Sequence, residues 1–221
     1  MIATQVQTGT RQSKIMGLIK GKTNIIGITG GVGAGKSTVL GYIRDNYNCL
    51  VIFSDDVANE IKKKGYPAYD ELVKLLGKEI LSDDGEIDKA KMAAAIFNDK
   101  DSLEKVNNIL HPAVNTYIIN IIGNERKNNV YDFVFVEAAL LIENGYDKIV
   151  DELWYVYASE EARRERLKAS RGYSDEKITD ILANQLSDEV FREYCSFVID
   201  NSTDLSDAAK QIDNKLWEWR K

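Results

Sequence analysis

Along the chain, short runs of consecutive apolar and β-branched residues recur, and between them apolar positions fall at helical spacing. The runs are Ile25 to Thr29, Leu50 to Phe53, Asp132 to Val136, Leu153 to Tyr157 and Phe197 to Asp200. They lack polar–apolar alternation, so each predicts a strand covered on both faces, and the helix-length segments between them predict parallel crossovers. The expected architecture is three-layer α/β around a five-stranded parallel sheet.

Helix signals fill the gaps. Ser159 followed by Glu160 and Glu161 predicts a capped start, with an end at Arg171-Gly172, where glycine can turn left-handed. Ser174 predicts the cap of another helix toward Gln185. Asp101 and Glu104 resemble a capping box, and Leu103, Val106, Ile109 and Leu110 share one helical face up to His111-Pro112. Residues 54–131, between the second run and the third, are too many for a single crossover, which predicts a helical substrate-binding insertion over about 56–127. A shorter helical pair, about 159–194, is placed to act as a lid. Residues 1–22 are polar and aperiodic and lack the apolar centre of a secretion signal, so they are expected to be a loosely ordered extension, with Met16 an alternative start; the folded domain is expected over 23–221.

Composition narrows the function classes. The chain has 221 residues, 44% of them hydrophobic and 29% charged, as in an ordinary soluble globular domain. The net charge of -6 argues against a general nucleic-acid binder. No apolar run approaches the roughly 20 residues that span a bilayer, so a soluble, cytoplasmic protein without membrane partner is expected, a monomer or weak homo-oligomer. Cys49 and Cys195 lie far apart, and the chain has one histidine, too few soft ligands for zinc; two reduced thiols are expected.

The sharpest chemical signal is "IIGITGGVGAGKSTV", from Ile25 to Val39. Gly30 to Ser37 fits the pattern Gly, four residues, Gly-Lys-Ser/Thr, which chance supplies in about one chain in a hundred of this length. A strand precedes it, and a helix with Val39, Leu40 and Ile43 on one face is predicted after it. The glycines Gly30, Gly33 and Gly35, with Ala34 between, let successive N–H groups point into one concavity, and the following helix adds its positive end. Lys36 is expected to reach the β- and γ-phosphates, Ser37 to ligate Mg²⁺, and Thr38 to reach the α-phosphate.

Other residues sort the nucleotide classes. A GTPase needs Asn-Lys-x-Asp, and the late Asn214-Lys215 continues into Leu216-Trp217 of an amphipathic terminal helix. A motor ATPase needs a larger chain and an acid pair, whereas Phe133 to Val136 ends in the single acid Glu137. A small-molecule kinase fits both the size and the inserts. Its acceptor hydroxyl needs a carboxylate, and "SDDVA" places Asp55 and Asp56 just after the second strand. Ser54 with two first-turn acids also makes a good helix start in its own right.

Taken together, "ITGGVGAGKSTV", "SDDVA", "GEID", "FND", "LHPAV", "VEAALLIE", "RL" with "RG" and Ser174, Gln185 and "VIDNS" resemble, in order and spacing, the dephospho-coenzyme A kinases, over nearly all of the chain from Ile25 on. The resemblance implies ATP-dependent phosphorylation of the ribose 3′-hydroxyl of dephospho-CoA on a P-loop fold like that of nucleoside monophosphate kinases. It implies Asp56 as catalytic base, because Ser54 stands in the place of the family's first aspartate. It also implies His111 near the substrate, Glu137 on Mg²⁺ through water, Arg166 over the transferring phosphates and Asn201 near adenine. This chain departs from the pattern at Ser170, where a second arginine is usual and Arg171 is shifted by one, at Cys195-Ser196, and at Ala139, where a proline is usual and loop stiffness changes. The alternatives are a kinase of another small hydroxyl acceptor, such as a nucleoside or nucleotide, and a non-catalytic ATP-binding sensor.

Overall fold

The computed structural model describes residues 7–8, 22–97, 99–138 and 141–219. Met16, Ala139 and most of the leading extension lie outside the described residues. The described residues divide into two compact units, one within 52–124 and the other made of the described residues on either side of that segment.

The larger unit is built on a sheet. Its strands are β1 (Gln7–Thr8), β2 (Asn24–Thr29), β3 (Cys49–Phe53, of which the first three residues belong here), β4 (Phe133–Glu137), β5 (Glu152–Tyr157) and β6 (Phe197–Asp200). They stand in the order β1-β3-β4-β2-β5-β6. All five expected strands are present, within a residue of the apolar runs, and β2 pairs in parallel with β4 and β5, as β5 does with β6. The unexpected strand is β1, inside the leading extension, where Gln7 and Thr8 pair antiparallel with Val51 and Leu50.

The apolar runs are continuous because the central strands have no wet face. Ile25, Ile26 and Ile28 on β2, Phe133 to Val136 on β4 and Trp154 on β5 are buried, and each large side chain so removed from water stabilises the fold by about 1.5–3 kcal/mol. Phe133, Phe135, Trp154 and Phe197 form a file of aromatic contacts across the sheet, with ring centroids 6.1, 5.8 and 5.0 Å apart. Helix α1 (Lys36–Asn46) buries Val39, Leu40 and Ile43, and the terminal helix α9 (Leu205–Glu218) buries Ala208, Ile212 and Leu216. The two are joined where Tyr42 and Tyr47 donate to one oxygen of Asp213, at 2.7 and 2.5 Å.

Between β5 and β6 the chain forms α6 (Glu160–Arg171), α7 (Asp175–Ala183) and α8 (Asp188–Tyr194). The Ser159 and Ser174 hydroxyls cap the first two, and Gly172 ends α6 at φ 63°. The expected pair is thus a trio: Ser187 caps α8 with Asp188 and Glu189 in the first turn, the same signature as Ser159-Glu160-Glu161.

The smaller unit is helical, as the length of the segment requires. It holds α2 (Ser54–Glu60), α3 (Pro67–Leu76), α4 (Lys89–Ile96) and most of α5 (Lys100–Asn128). Leu72, Ile80, Met92 and Val106 form its core, with Ile109 and Leu110 packed against them. Leu103 was expected on that face and is instead exposed. Asp99, two residues before the expected Asp101, does the capping, accepting from the N–H groups of Asp101 and Ser102. The helix also runs through Pro112, where a stop was expected. Proline removes one backbone hydrogen bond, and the buried stripe Val114, Ile118 and Ile122 beyond it outweighs that loss. Ser54 is likewise no cap: it is the first residue of α2, and Phe53 holds the cap position without a side-chain bond.

Candidate active site

Strand β2 lies between β4 and β5, so the chain goes first to β3 and β4 on one side of it and then crosses to β5 and β6 on the other. That makes its carboxyl end the switch point at which open α/β sheets bind ligands, and the glycine loop begins there, at Gly30 after Thr29. The loop delivers the chain into α1 through Gly35, whose φ of 88° is left-handed. A Cβ at Gly35 would stand 2.3 Å from the Asn201 side-chain nitrogen, so glycine is required by both conformation and space.

Within the loop, Lys36 folds back: its Nζ donates to Gly30 O at 2.7 Å and stands 3.7 Å from Glu137 Oε1. Glu137 ends β4, directly opposite Ile28 of β2 in register, so the carboxylate comes up beside the loop that leads from β2 to Lys36. Ser37 and Thr38 are exposed in the first turn of α1. The Thr38 N–H donates to Gly35 O at 3.0 Å and the Ala34 N–H to Gly31 O at 3.2 Å, so the loop is fixed internally.

Helix α6 holds the loop from outside. Arg166 donates to the carbonyl oxygens of Ala34 at 3.4 Å, Asn201 at 2.7 Å and Thr203 at 3.2 Å. Asn201 is buried at the end of β6, and its side-chain amide donates to Ala34 O at 2.8 Å. Asn201, expected near adenine, thus also ties the end of β6 to the glycine loop. Leu167 is buried beside Gly33, where an added Cβ would meet its Cγ at 3.1 Å.

Arg163 is the residue that the sequence reading did not single out. Its Nε donates to Val32 O at 2.9 Å and its Nη2 to Gln185 Oε1 at 2.5 Å, and the same Gln185 oxygen accepts from the Val32 N–H at 3.3 Å. Burial lowers the pKa of this guanidinium below its usual value. The signal available in the sequence was spacing: 163, 166 and 167 fall on one face of a helix, and the apolar Leu167 marks that face as the inner one. Arg164, by contrast, turns outward to Glu160 at 2.7 Å.

In the helical unit, Asp55 and Asp56 occupy the first turn of α2, which begins at the residue after β3 ends. Both are exposed. Half-buried Lys62 has its pKa lowered, by burial first and by Lys89 second, with Asp55 opposing. His111 lies exposed on α5, one residue before Pro112.

The donors fit a magnesium ion only in part by protein. Among the described residues no group of His, Cys, Asp and Glu could hold a metal by itself. One hydroxyl at Ser37 and one carboxylate at Glu137 suit an ion that keeps most of its waters and takes its remaining ligands from phosphates.

Known proteins resemble this chain over most of its length. The dephospho-CoA kinase family model matches residues 24–207. The chain is 34% identical to a dephospho-CoA kinase of Oceanobacillus iheyensis, over 89% of this chain and 98% of that one. It is 36% identical to that of Carboxydothermus hydrogenoformans, over 89% and 94% of the respective chains. Among solved structures, TT1252 from Thermus thermophilus superposes with a TM-score of 0.70 at 27% identity, covering 90% of this chain and 98% of that one. The dephospho-CoA kinase from Campylobacter jejuni shares the fold at a TM-score of 0.63 and 20% identity, covering 89% and 97%. With its glycine loop at the switch point and this likeness along almost its whole length, the chain belongs to the dephospho-CoA kinase family, ATP-dependent kinases of coenzyme A biosynthesis.

Proposed function

We propose that this protein transfers the γ-phosphoryl group of ATP to the ribose 3′-hydroxyl of dephospho-CoA, giving CoA and ADP, with Mg²⁺, in the cytoplasm, as a monomer or weak homo-oligomer. The observation that carries the donor half is the glycine loop with Lys36, Glu137 and Arg166 gathered on it. The acceptor half rests on membership of the family across residues 24–207.

The backbone of Gly30, Gly33, Ala34 and Gly35, the N-terminus of α1 and Thr38 hold the phosphates, and Lys36 exchanges the Gly30 carbonyl for phosphate oxygens. Ser37 and, through water, Glu137 would hold Mg²⁺, which would neutralise charge on the phosphates. Arg166 adds positive charge on the lid side, and Asn201 keeps the loop and the end of β6 together. His111 contacts the acceptor. The 3′-oxygen forms its bond to the γ-phosphorus as the bond from that phosphorus to the β–γ bridging oxygen breaks; the hydroxyl proton passes to Asp56 and ADP leaves.

Asp55 sits in the same turn, and exchanging the two carboxylates one at a time separates them. Asp56→Asn should lower turnover by about 10²-fold or more while leaving ATP affinity close to normal. Near-normal turnover in Asp56→Asn with a collapse in Asp55→Asn would move the base to Asp55, and full activity in both would remove this turn from the chemistry.

A further inference from the structure

We propose that Arg163 is a second catalytic guanidinium for the transferring phosphate, beside Arg166. This rests on the kinase reading above and deepens it.

The argument begins with what the arginines of α6 touch. Arg164 is paired with Glu160 at 2.7 Å and also reaches the Thr179 hydroxyl at 3.1 Å. Arg171 lies at the far end of the helix, 5.8 Å from the centre of the Tyr173 ring. Ser170 turns its hydroxyl back onto its own helix, donating to Arg166 O at 2.6 Å. Neither position where a second arginine was expected therefore faces the glycine loop.

Arg163 does face it. Together with Arg166 it brackets the loop, one guanidinium on the Val32 carbonyl and the other on the Ala34 carbonyl. A Cβ placed on Gly31 would stand 2.4 Å from Arg163 Nη2, so the guanidinium lies directly against the loop backbone. Among the described residues both arginines bond neutral oxygens only, and no carboxylate pairs with either. Glu160 favours the charge on Arg163 but is itself paired with Arg164 at 2.7 Å, so the cost of half-burying this cation is offset only in part, and burial still disfavours its protonated form. The loop it covers is built to receive a polyanion. The phosphate chain of the nucleotide supplies the missing counter-charge, and a planar guanidinium meets phosphate oxygens in bidentate fashion. Gln185, bonded both to Arg163 and to the Val32 N–H, fixes where that guanidinium stands.

The test compares ADP with ADP plus aluminium fluoride, a mimic of the transferring phosphoryl group, on wild type and Arg163→Gln, alongside turnover with dephospho-CoA. Removing a group that acts on transition-state charge should cut kcat by about 10²-fold or more and weaken the aluminium fluoride complex by a similar factor. ADP alone should bind within about threefold of wild type. A kcat within about threefold of wild type, or equal weakening of both complexes, would overturn the proposal and leave Arg163 a clamp on the loop. If Arg163→Gln lacks a cooperative melting transition, the same ratio is read on Arg163→Lys, which keeps charge and stem but not the bidentate fork. Failure of the wild type to phosphorylate dephospho-CoA would sink the proposed function, yet the two nucleotide complexes would still report on Arg163, because neither needs the acceptor.

Discussion

Gly35 shows how little freedom the phosphate loop has. Its φ of 88° and the Asn201 amide, 2.3 Å from where a Cβ would stand, mean that Gly35→Ala must push the buried Asn201 off the Ala34 carbonyl or distort the start of α1. The expected outcome is a loss of stability of about 1–3 kcal/mol and a clear rise in the KM for ATP, read by melting and by initial rates. Asp151 holds the other end of the same strand: one carboxylate oxygen accepts from the Ile25 N–H at 2.8 Å while the other meets Arg126 and Lys22, at 3.0 and 3.3 Å. Burial alone would raise its pKa, and these partners outweigh it, so the net direction is down. The folded pKa is then below the unfolded value of about 3.9, so the contribution is complete above that pH and is lost as pH falls through the folded pKa. With 26% of the side chain exposed, water screens part of it, and Asp151→Asn should cost about 1 kcal/mol near neutral pH, a gap in Tm that closes in acid. A gap that persists in acid would contradict this account of Asp151.

At the scale of elements, sequence pattern located the sheet because the central strands are buried on both faces, which leaves an uninterrupted apolar run for each. Capping chemistry located α6 and α7 for a similar reason: Ser159, Ser174 and Gly172 act locally and need nothing from elsewhere in the fold. The misreadings share a cause, since each depended on packing that a local rule does not see. Pro112 reads as a stop only if the apolar residues beyond it are ignored, and β1 pairs with a strand far along the chain. Within the site, the loop, Lys36 and Glu137 were legible from motif and strand end, whereas Arg163 was hidden among the charges of "EEARRERLKASRG". Its role emerges only when α6 is seen to pack by its 163, 166 and 167 face. That packing predicts a coupling: Leu167→Ala, at a buried position beside Gly33, should cost about 2–5 kcal/mol, several degrees in Tm, and also raise the KM for ATP. Lost stability with an unchanged KM would mean that α6 does not seat the loop.

For the molecule as a whole, no helix among the described residues is long and apolar enough to cross a membrane, and the cysteines behave as core. Burial pushes the Cys49 and Cys195 thiols up to about 12 in each case. A disulfide reagent should therefore modify neither quickly in the native protein and both promptly in denaturant; rapid native labelling would contradict the burial of both. The central claim concerns the fate of one phosphoryl group. The most direct test incubates the purified protein with ATP, Mg²⁺ and dephospho-CoA and identifies the product by mass and phosphorus NMR. The account predicts ADP and one new phosphomonoester on the ribose 3′-oxygen, in equal amounts, and formed only when dephospho-CoA is present. ADP release without phosphorylated dephospho-CoA, or transfer to a different hydroxyl acceptor in its place, would contradict it.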